Sequence, residues 1–339
     1  LNTDARGVPP FAGLTPDVVL DALDSVGLFG DGRMLALNSY ENRVYQVAIE
    51  DAPPCVAKFY RPNRWTDGQI LEEHAFVREL LDNEIPVVAP LLLGGDRTLH
   101  TFAGYRFAVY PNCGGRAPEL EDRATREWLG RFIGRIHAVG ARASFRERPA
   151  LDIASFGEEP RDWLLAHDII PSGLIDAYRA VVELALAGVR RCFERAGEVH
   201  TLRLHGDCHV GNVLWLPDGV AHGTAAGPHF VDFDDSRTGP AIHDLWMLLS
   251  GDRDDMTRQL SDVLVGYEDF RDLDRRELYL IEALRTLRLI HYAAWLARRW
   301  DDPAFPAAFP WFNTQRYWQD RILELREQVA AMDEPPLAV

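Results

Sequence analysis

At 339 residues, 47% hydrophobic and 26% charged, the chain has the composition of an ordinary folded protein and is long enough for two lobes. Its formal net charge of −16 argues against a nucleic-acid binder, which needs a basic face, and no run approaches the roughly 18 uninterrupted apolar residues of a membrane span. Four cysteines (Cys55, Cys113, Cys192, Cys208) show no framework spacing, and Leu1 to Pro10 contain neither a basic n-region nor an apolar h-region, so the expected compartment is the cytoplasm.

Thr15-Pro16-Asp17 opens a helix, with Thr15 as N-cap and Pro16 at the first helical position; Val18, Val19, Ala22, Leu23 and Val26 form its apolar stripe and Gly27 ends it. Met34 to Leu37 reads as a strand, Asn38 to Arg43 as a polar turn, and Val44 to Val47 as the returning strand. Ser39 in that turn can offer its hydroxyl and backbone N–H to a phosphate; an ordinary hairpin is the competing reading, since the turn has no Gly. Pro53-Pro54 bounds the next strand, Cys55 to Tyr60. Lys58 within it is unusual unless its amine meets an anion, or unless the strand is an edge guarded by a lysine.

Residues 67 to 83 form a helix with Asp67 as candidate cap and Ile70, Phe76, Val77, Leu80 and Leu81 inward. Glu73 shares a side with Leu80, which makes it a partner for Lys58 ahead of Glu72, or else a solvated carboxylate. Leu91 to Leu93 precedes a turn at Gly94-Gly95-Asp96; Thr98 to Phe102 and Tyr105 to Tyr110 are two further strands. Pro111 ends the sheet and Asn112-Cys113-Gly114-Gly115 is a linker, so the lobe boundary is read as 1–110 and 111–339. From Glu119 onward the pattern is helical. Trp128, Leu129, Phe132, Ile133, Ile136 and His137 lie on one buried face, with His137 read as a satisfied core histidine. Helices follow over 160–166, 172–196, 242–249, 254–267 and 277–300, and the aromatic, Pro-rich segment from Ala304 to Phe312 packs along them.

Chemistry concentrates in residues 202 to 246. Val213 to Leu216 and His229 to Val231 read as a hairpin around Pro217-Asp218-Gly219 and a Gly/Ala/His-rich turn. Folding it brings Asp207 and Asn212 towards Asp232. Asp207 can orient a hydroxyl and accept its proton, while Asn212 and Asp232 offer hard oxygen ligands suited to Mg²⁺. Four residues separate Asp207 from Asn212, the spacing used by protein-kinase catalytic loops. Plain turn chemistry at a Gly-Asp and a Val-Asp step is the competing account. His205 and His209 stand four apart, but Gly206 rather than Glu follows the first and disfavours a helix, so a zinc site is not expected. His205 is read as holding loop backbone, His209 as facing substrate or structural, and Asp244 as an acceptor for loop N–H groups.

The blocks LNSYENRVYQV, VAKFYRPNRW, ILEEHAF, LRLHGDCHVGNVLW, VDFDDSRTGP, DLWMLLSGD and AWLARRWDDPAFP resemble the kinase-like phosphotransferases, the family of aminoglycoside and choline kinases, and within it a bacterial Ser/Thr protein kinase branch. The resemblance implies an α+β, bilobal protein-kinase-like fold: a small mixed N-lobe with an antiparallel sheet and a large, mainly helical C-lobe. It implies Asp207 as proton acceptor, Asn212 and Asp232 as Mg²⁺ ligands, Ser39 and Lys58 at the ATP phosphates and Glu73 as the partner of Lys58. Adenine would bond to the backbone of Val109 to Asn112. The implied activity is ATP-dependent transfer to a protein Ser or Thr, including sites on the chain itself, by a cytoplasmic monomer linked to stress survival. A small-molecule kinase for a cationic alcohol or aminoglycoside is the alternative, favoured by the acidic balance, and a nucleotide-binding scaffold without turnover is a third reading. His205-Gly206-Asp207 in place of His-Arg-Asp, Asp232-Phe233-Asp234 in place of Asp-Phe-Gly, and the absence of Ala-Pro-Glu depart from ordinary protein kinases and speak against control by activation-loop phosphorylation.

Overall fold

The computed structural model describes residues 9–216 and 227–339; the expected turn at Pro217-Asp218-Gly219 and the first eight residues lie outside them. In chain order the elements are α1 (Pro16–Asp24), β1 (Gly30–Ala36), β2 (Arg43–Ile49), β3 (Ala52–Phe59), α2 (Asp67–Asp82), β4 (His100–Phe102), β5 (Tyr105–Pro111), α3 (Arg123–Gly140), α4 (Glu159–Ala166) and α5 (Ile175–Ala196). There follow β6 (Thr201–Leu204), β7 (Val213–Leu216), β8 (Gly227–Phe230), β9 (Arg237–Pro240), α6 (Ile242–Trp246), α7 (Arg253–Tyr267), α8 (Ile281–Arg298), α9 (Ala304–Ala308) and α10 (Gln315–Ala331).

Two compact units result, one from Leu1–Pro118, Gly211–Asp234 and Asp302–Ala304, the other from Glu119–Val210, Asp235–Asp301 and Phe305–Val339. They are not the consecutive 1–110 and 111–339 read from the sequence. The reason is pairing: Phe230 of β8 bridges to Val87, and Trp215 of β7 bridges to Arg116, so the hairpin joins the first unit although it follows most of the second in the chain.

The first unit is built on an antiparallel sheet in the order β1-β2-β3-β5-β4, which places β3 at its centre. Val47, Ala57, Phe59, Phe107 and Val109 are fully buried in its core with Val19, Ala22 and Leu23 of α1. Thr15 caps α1 as expected. Pro53 and Pro54 lie inside β3 rather than before it. The β2 ladder shifts register between Val47 and Ile49, and pairing to β5 begins only at Cys55, so neither proline interrupts a regular ladder. The cap of α2 is Thr66 rather than Asp67: the Thr66 hydroxyl accepts the Gln69 N–H at 3.1 Å while the Gln69 side chain accepts the Thr66 N–H at 2.9 Å. Asp67 instead pairs with Arg106 at 2.9 Å. Of the expected inner face, Ile70, Phe76, Val77 and Leu80 are buried but Leu81 is exposed. Leu93 and Arg97 close the Gly94-Gly95-Asp96 turn as an isolated bridge, and β4 starts only at His100.

In the second unit α3 lies directly on α7. Gly130 makes the approach possible, because a Cβ there would fall 1.9 Å from the Val263 carbonyl oxygen. Trp128, expected inward, is exposed, while Leu129, Ile133, Ile136 and His137 are buried. β6 and β9 form a ladder from Thr201↔Pro240 to Leu204↔Arg237 that frames the loop after Leu204. The helix expected from Glu277 begins as a tight 3₁₀ turn over Arg275–Leu280 and becomes α8 at Ile281. α10, absent from the sequence reading, buries Trp318 edge-on against Tyr178 of α5 at 5.5 Å. Among the described residues no helix is long and apolar enough to cross a membrane.

Gly130→Ala is expected to destabilise the protein by about 2 kcal/mol or more through overpacking against rigid backbone. Gly173→Ala, where an added Cβ meets nothing within 4 Å, should change stability by less than about 0.5 kcal/mol. Urea unfolding of both variants measures the contrast.

Candidate active site

Lys58 sits on the central strand, paired across to Val44 and Ala108, and is almost fully buried. The edge-strand account of this lysine therefore fails. Its Nζ lies 2.9 Å from Asp232 Oδ1 and 3.3 Å from Asp234 Oδ1. Burial works against the charged amine, but the carboxylates of Asp232, Asp234 and Glu73 outweigh it and hold the pKa well above the ordinary lysine value. Glu73, on α2, is itself buried and adds a third negative charge to the amine's surroundings.

Asn212 and Asp232, the two residues expected to offer oxygen ligands, flank one hairpin. β7 pairs with β8 from Val213↔Phe230 to Leu216↔Gly227, and the Val231 N–H donates to the Asn212 carbonyl at 3.0 Å. Asn212, at the start of β7, is thereby held beside the residue preceding Asp232. Asp232 takes a left-handed backbone conformation (φ 59°), which Asp tolerates better than most residues, and its side chain is 55% exposed. A carboxylate and an amide oxygen at an accessible hairpin end suit Mg²⁺, which binds few protein groups and keeps water and phosphate ligands. Among the described residues there is no cluster of three or more His, Cys, Asp or Glu that would make a closed protein cage.

Asp234 is a residue whose role sequence reasoning missed. It was visible only as the acid standing where Asp-Phe-Gly has Gly. Its side chain is buried and meets Lys58, Arg64 and, at 3.3 Å, the Asn42 amide. Asn42 belongs to the turn that carries Ser39, and its own side-chain oxygen accepts the Arg61 N–H at 3.0 Å. Ser39 donates its hydroxyl to the Asn42 carbonyl at 3.3 Å. Arg61 pairs with Glu41 and Asp302, and Arg43 reaches Asp302 at 3.2 Å. This turn lacks glycine, and side-chain ion pairs give it its order. Val109 is buried in β5 with its carbonyl accepting the Leu91 N–H at 2.7 Å, so that oxygen is already engaged by the fold; Asn112 is exposed just beyond the strand.

In the second unit, β6 delivers the chain into His205-Gly206-Asp207. Asp244 on α6 is fully buried and accepts the His205 N–H at 2.8 Å and the Gly206 N–H at 2.9 Å, one on each carboxylate oxygen. His137 Nε2 lies 3.0 Å from the same carboxylate and its Nδ1 lies 3.0 Å from the Tyr267 hydroxyl. Burial alone would raise the Asp244 pKa; the His137 hydrogen bond and the surrounding histidines lower it instead. Gly206 (φ 85°) is obligatory, since a Cβ would fall 2.1 Å from the Asp235 carbonyl oxygen. The His205 ring accepts the Asp207 N–H at 3.3 Å.

Asp207 Oδ1 meets Arg288 of α8 at 2.7 Å, and Oδ2 lies 3.4 Å from His209 Nε2. Burial pushes its pKa up, but the His209 and Arg288 contacts bring it down to about 2, so the carboxylate is ionised at neutral pH. Arg288 carried no signal in the sequence, being one arginine among several in a helical stripe. Glu277 was also unmarked. It is buried, and its Oε2 accepts the Ile242 N–H at 2.8 Å, satisfying the first turn of the helix that bears Asp244.

Burial raises the Glu277 pKa from 4.5 to about 7. Between those values the folded state keeps a proton that the unfolded state releases, so stability falls as pH rises through this window and levels off above it. Glu277→Gln retains an acceptor for the Ile242 N–H and removes that loss. The stability gap, variant minus wild type, should grow by on the order of 2 kcal/mol between pH 4.5 and 7.5. Unfolding curves at a series of pH values measure it.

The phosphotransferase enzyme family matches residues 34–280. The chain is 44% identical over 327 residues to the serine/threonine protein kinase RdoA of Salmonella typhimurium and, equally, to stress response kinase A of Escherichia coli strain K12, covering 96% of this chain and of each relative. Among solved structures, the amicoumacin kinase hAmiN in complex with AMP-PNP, Ca²⁺ and Ami shares the fold, with a TM-score of 0.71 at 21% identity over 95% of this chain and 94% of that one. A five-stranded antiparallel sheet followed by a mainly helical C-terminal part is thus the kinase-like architecture the sequence resemblance implied, and the chain belongs to the phosphotransferase enzyme family.

Proposed function

We propose that this chain is an ATP-dependent Ser/Thr protein kinase in which Asp207 accepts the proton of the acceptor hydroxyl. The observation that carries the reading is the Asp207 carboxylate, exposed enough to meet an acceptor and held by a loop whose backbone is fixed by the buried Asp244. Identity of 44% to a serine/threonine protein kinase along 96% of the chain supports a protein acceptor over a small alcohol, and the name stress response kinase A among the relatives supports a role under stress.

Each residue then has a separate task. Lys58 neutralises phosphate oxygens, with Glu73 and Asp234 sustaining its charge and the Ser39 turn covering the phosphates. The backbone from Val109 to Asn112, where the Asn112 end is the exposed part, receives adenine. Asn212 and Asp232 hold Mg²⁺, which when bound supplies electrostatic stabilisation to the phosphoryl oxygens. Asp207, with a pKa near 2, is a weak base in the ground state. Its main contribution is to align the hydroxyl; it takes the proton as the oxygen bonds to phosphorus and becomes acidic, which suits a loose phosphoryl-transfer transition state. The presence of Lys58, Asp207, Asn212 and Asp232 together in one chain disfavours a scaffold without turnover.

Transfer from [γ-³²P]ATP with Mg²⁺ to the protein itself, to a generic protein substrate and to a panel of amino alcohols tests the reading. Label on Ser or Thr, reduced about 10²- to 10⁴-fold by Asp207→Asn, is the expected result. Label confined to an amino alcohol, or bound ATP with no transfer, contradicts it.

A further inference from the structure

The surroundings of Asp207 run against the charge of the chain as a whole. With a net charge of −16, an acidic acceptor site is the default expectation. Instead, Arg288 Nη2 stands 2.7 Å from Asp207, and 37% of the Arg288 side chain is exposed. Among the described residues Asp207 is the carboxylate it pairs with, which leaves outer guanidinium donors accessible.

Arg288 begins a stripe on α8. Tyr292, Trp295 and Arg299 follow at steps of four, three and four, the spacing of one helix face. Tyr292 stacks on Trp295 at 5.6 Å and the Arg299 guanidinium lies 5.2 Å from the Trp295 ring centroid. Trp295 meets Phe305 at 5.0 Å and Phe309 at 6.0 Å, and Phe309 meets Trp311, which is exposed, at 5.8 Å. An aromatic wall with a cation at each end therefore extends from the reacting carboxylate. His291, on the same helix, lies in the field of Arg237, Arg299 and Arg288, opposed by Asp235. Asp235 is paired with Arg237 at 2.9 Å and Asp207 with Arg288 at 2.7 Å, so both carboxylates are matched by an arginine.

The reaction upsets that match. When Asp207 takes the hydroxyl proton it becomes neutral, and Arg288 loses its counter-charge in a partly buried setting. An anionic group beside the acceptor hydroxyl restores one, whereas a cationic amine there meets like charge, which is costly at close range. We propose, resting on the protein-kinase reading above, that Arg288 is a specificity-determining residue which selects an acidic peptide, one whose Ser or Thr is flanked by Asp or Glu. The wall of Tyr292, Trp295 and Trp311 receives the neighbouring part of that peptide. Cationic alcohols and aminoglycosides are excluded by the same charges.

Three matched Ser peptides, flanked by Glu, Gln or Lys, are assayed for kcat/KM with the full chain and Mg·ATP. The Glu peptide should exceed the Lys peptide by about tenfold or more at low salt, with the Gln peptide between them. Arg288→Glu should reverse that order. The ratio between peptides is the readout, because the variant also disturbs Asp207 and lowers every rate, while a purely structural fault cannot invert a preference. Arg299→Glu, at the residue that follows α8, should compress the same ratio and serves if the first variant does not fold. Equal use of the three peptides by the wild type, or preference for Lys, overturns the acceptor assignment and leaves the kinase reading intact. Transfer to amino alcohols but to no peptide overturns both.

Discussion

A single buried ammonium governs the first unit. Lys58 stands on the central strand of the sheet, where an unpaired charge would cost several kcal/mol. Its compensating carboxylates, Asp232 and Asp234, are 174 and 176 residues further along the chain. The chain must therefore return to the first unit after building much of the second, and it does so as the β7–β8 hairpin. The discontinuous division of the protein follows from that requirement. The return also has a chemical consequence, since the Val231 to Asn212 backbone hydrogen bond holds Asn212 beside the residue that precedes Asp232.

The second unit has the complementary arrangement, a buried anion. Asp244 is fully enclosed, and three donors satisfy it: two backbone N–H groups of the loop and the His137 ring. Leaving such a group unpaired is costly, so the loop conformation and the helix position specify each other. Gly206 is the residue that can follow that path, given how closely the Asp235 backbone approaches. Asp207 is then the next residue in line, fixed in direction by groups that take no part in chemistry. Asp207 is partly exposed and is tuned by Arg288 and His209, whereas Lys58 and Asp244, which hold the scaffold, are buried. Nothing in this scheme requires the activation segment of ordinary protein kinases.

Much of this was legible in the sequence where a residue type was out of place in its local pattern. A lysine amid Val56, Ala57 and Phe59, an Asp after a loop glycine and an Asp ending an apolar run are each anomalies with a chemical explanation. The expectation that Asp244 would hold loop backbone came from its place at the start of a short helix. What could not be read depended on distant pairing. Asp234 looked like an unremarkable acid until Arg64, Asn42 and Lys58 surrounded it, and Arg288 until α8 was set against the loop. β6 and β9 were missed because four-residue strands, one containing Gly239 and Pro240, carry no period of their own; the ladder between them supplies their order. Thr66 was overlooked in favour of Asp67 because both residue types cap helices, and only the reciprocal bond with Gln69 decides between them.

With Lys58, Asn212 and Asp232 proposed to hold metal-bound nucleotide and Asp207 proposed to accept the proton, the two functions should separate. Electron paramagnetic resonance titration of Mn²⁺ with a non-hydrolysable ATP analogue measures the first without needing turnover. Asp232→Asn should weaken Mn²⁺ binding in the nucleotide complex by about tenfold to a hundredfold, and Asp207→Asn should leave it within about threefold of wild type. Retention of full Mn²⁺ affinity by Asp232→Asn, or its loss in Asp207→Asn, would contradict the division of labour described above.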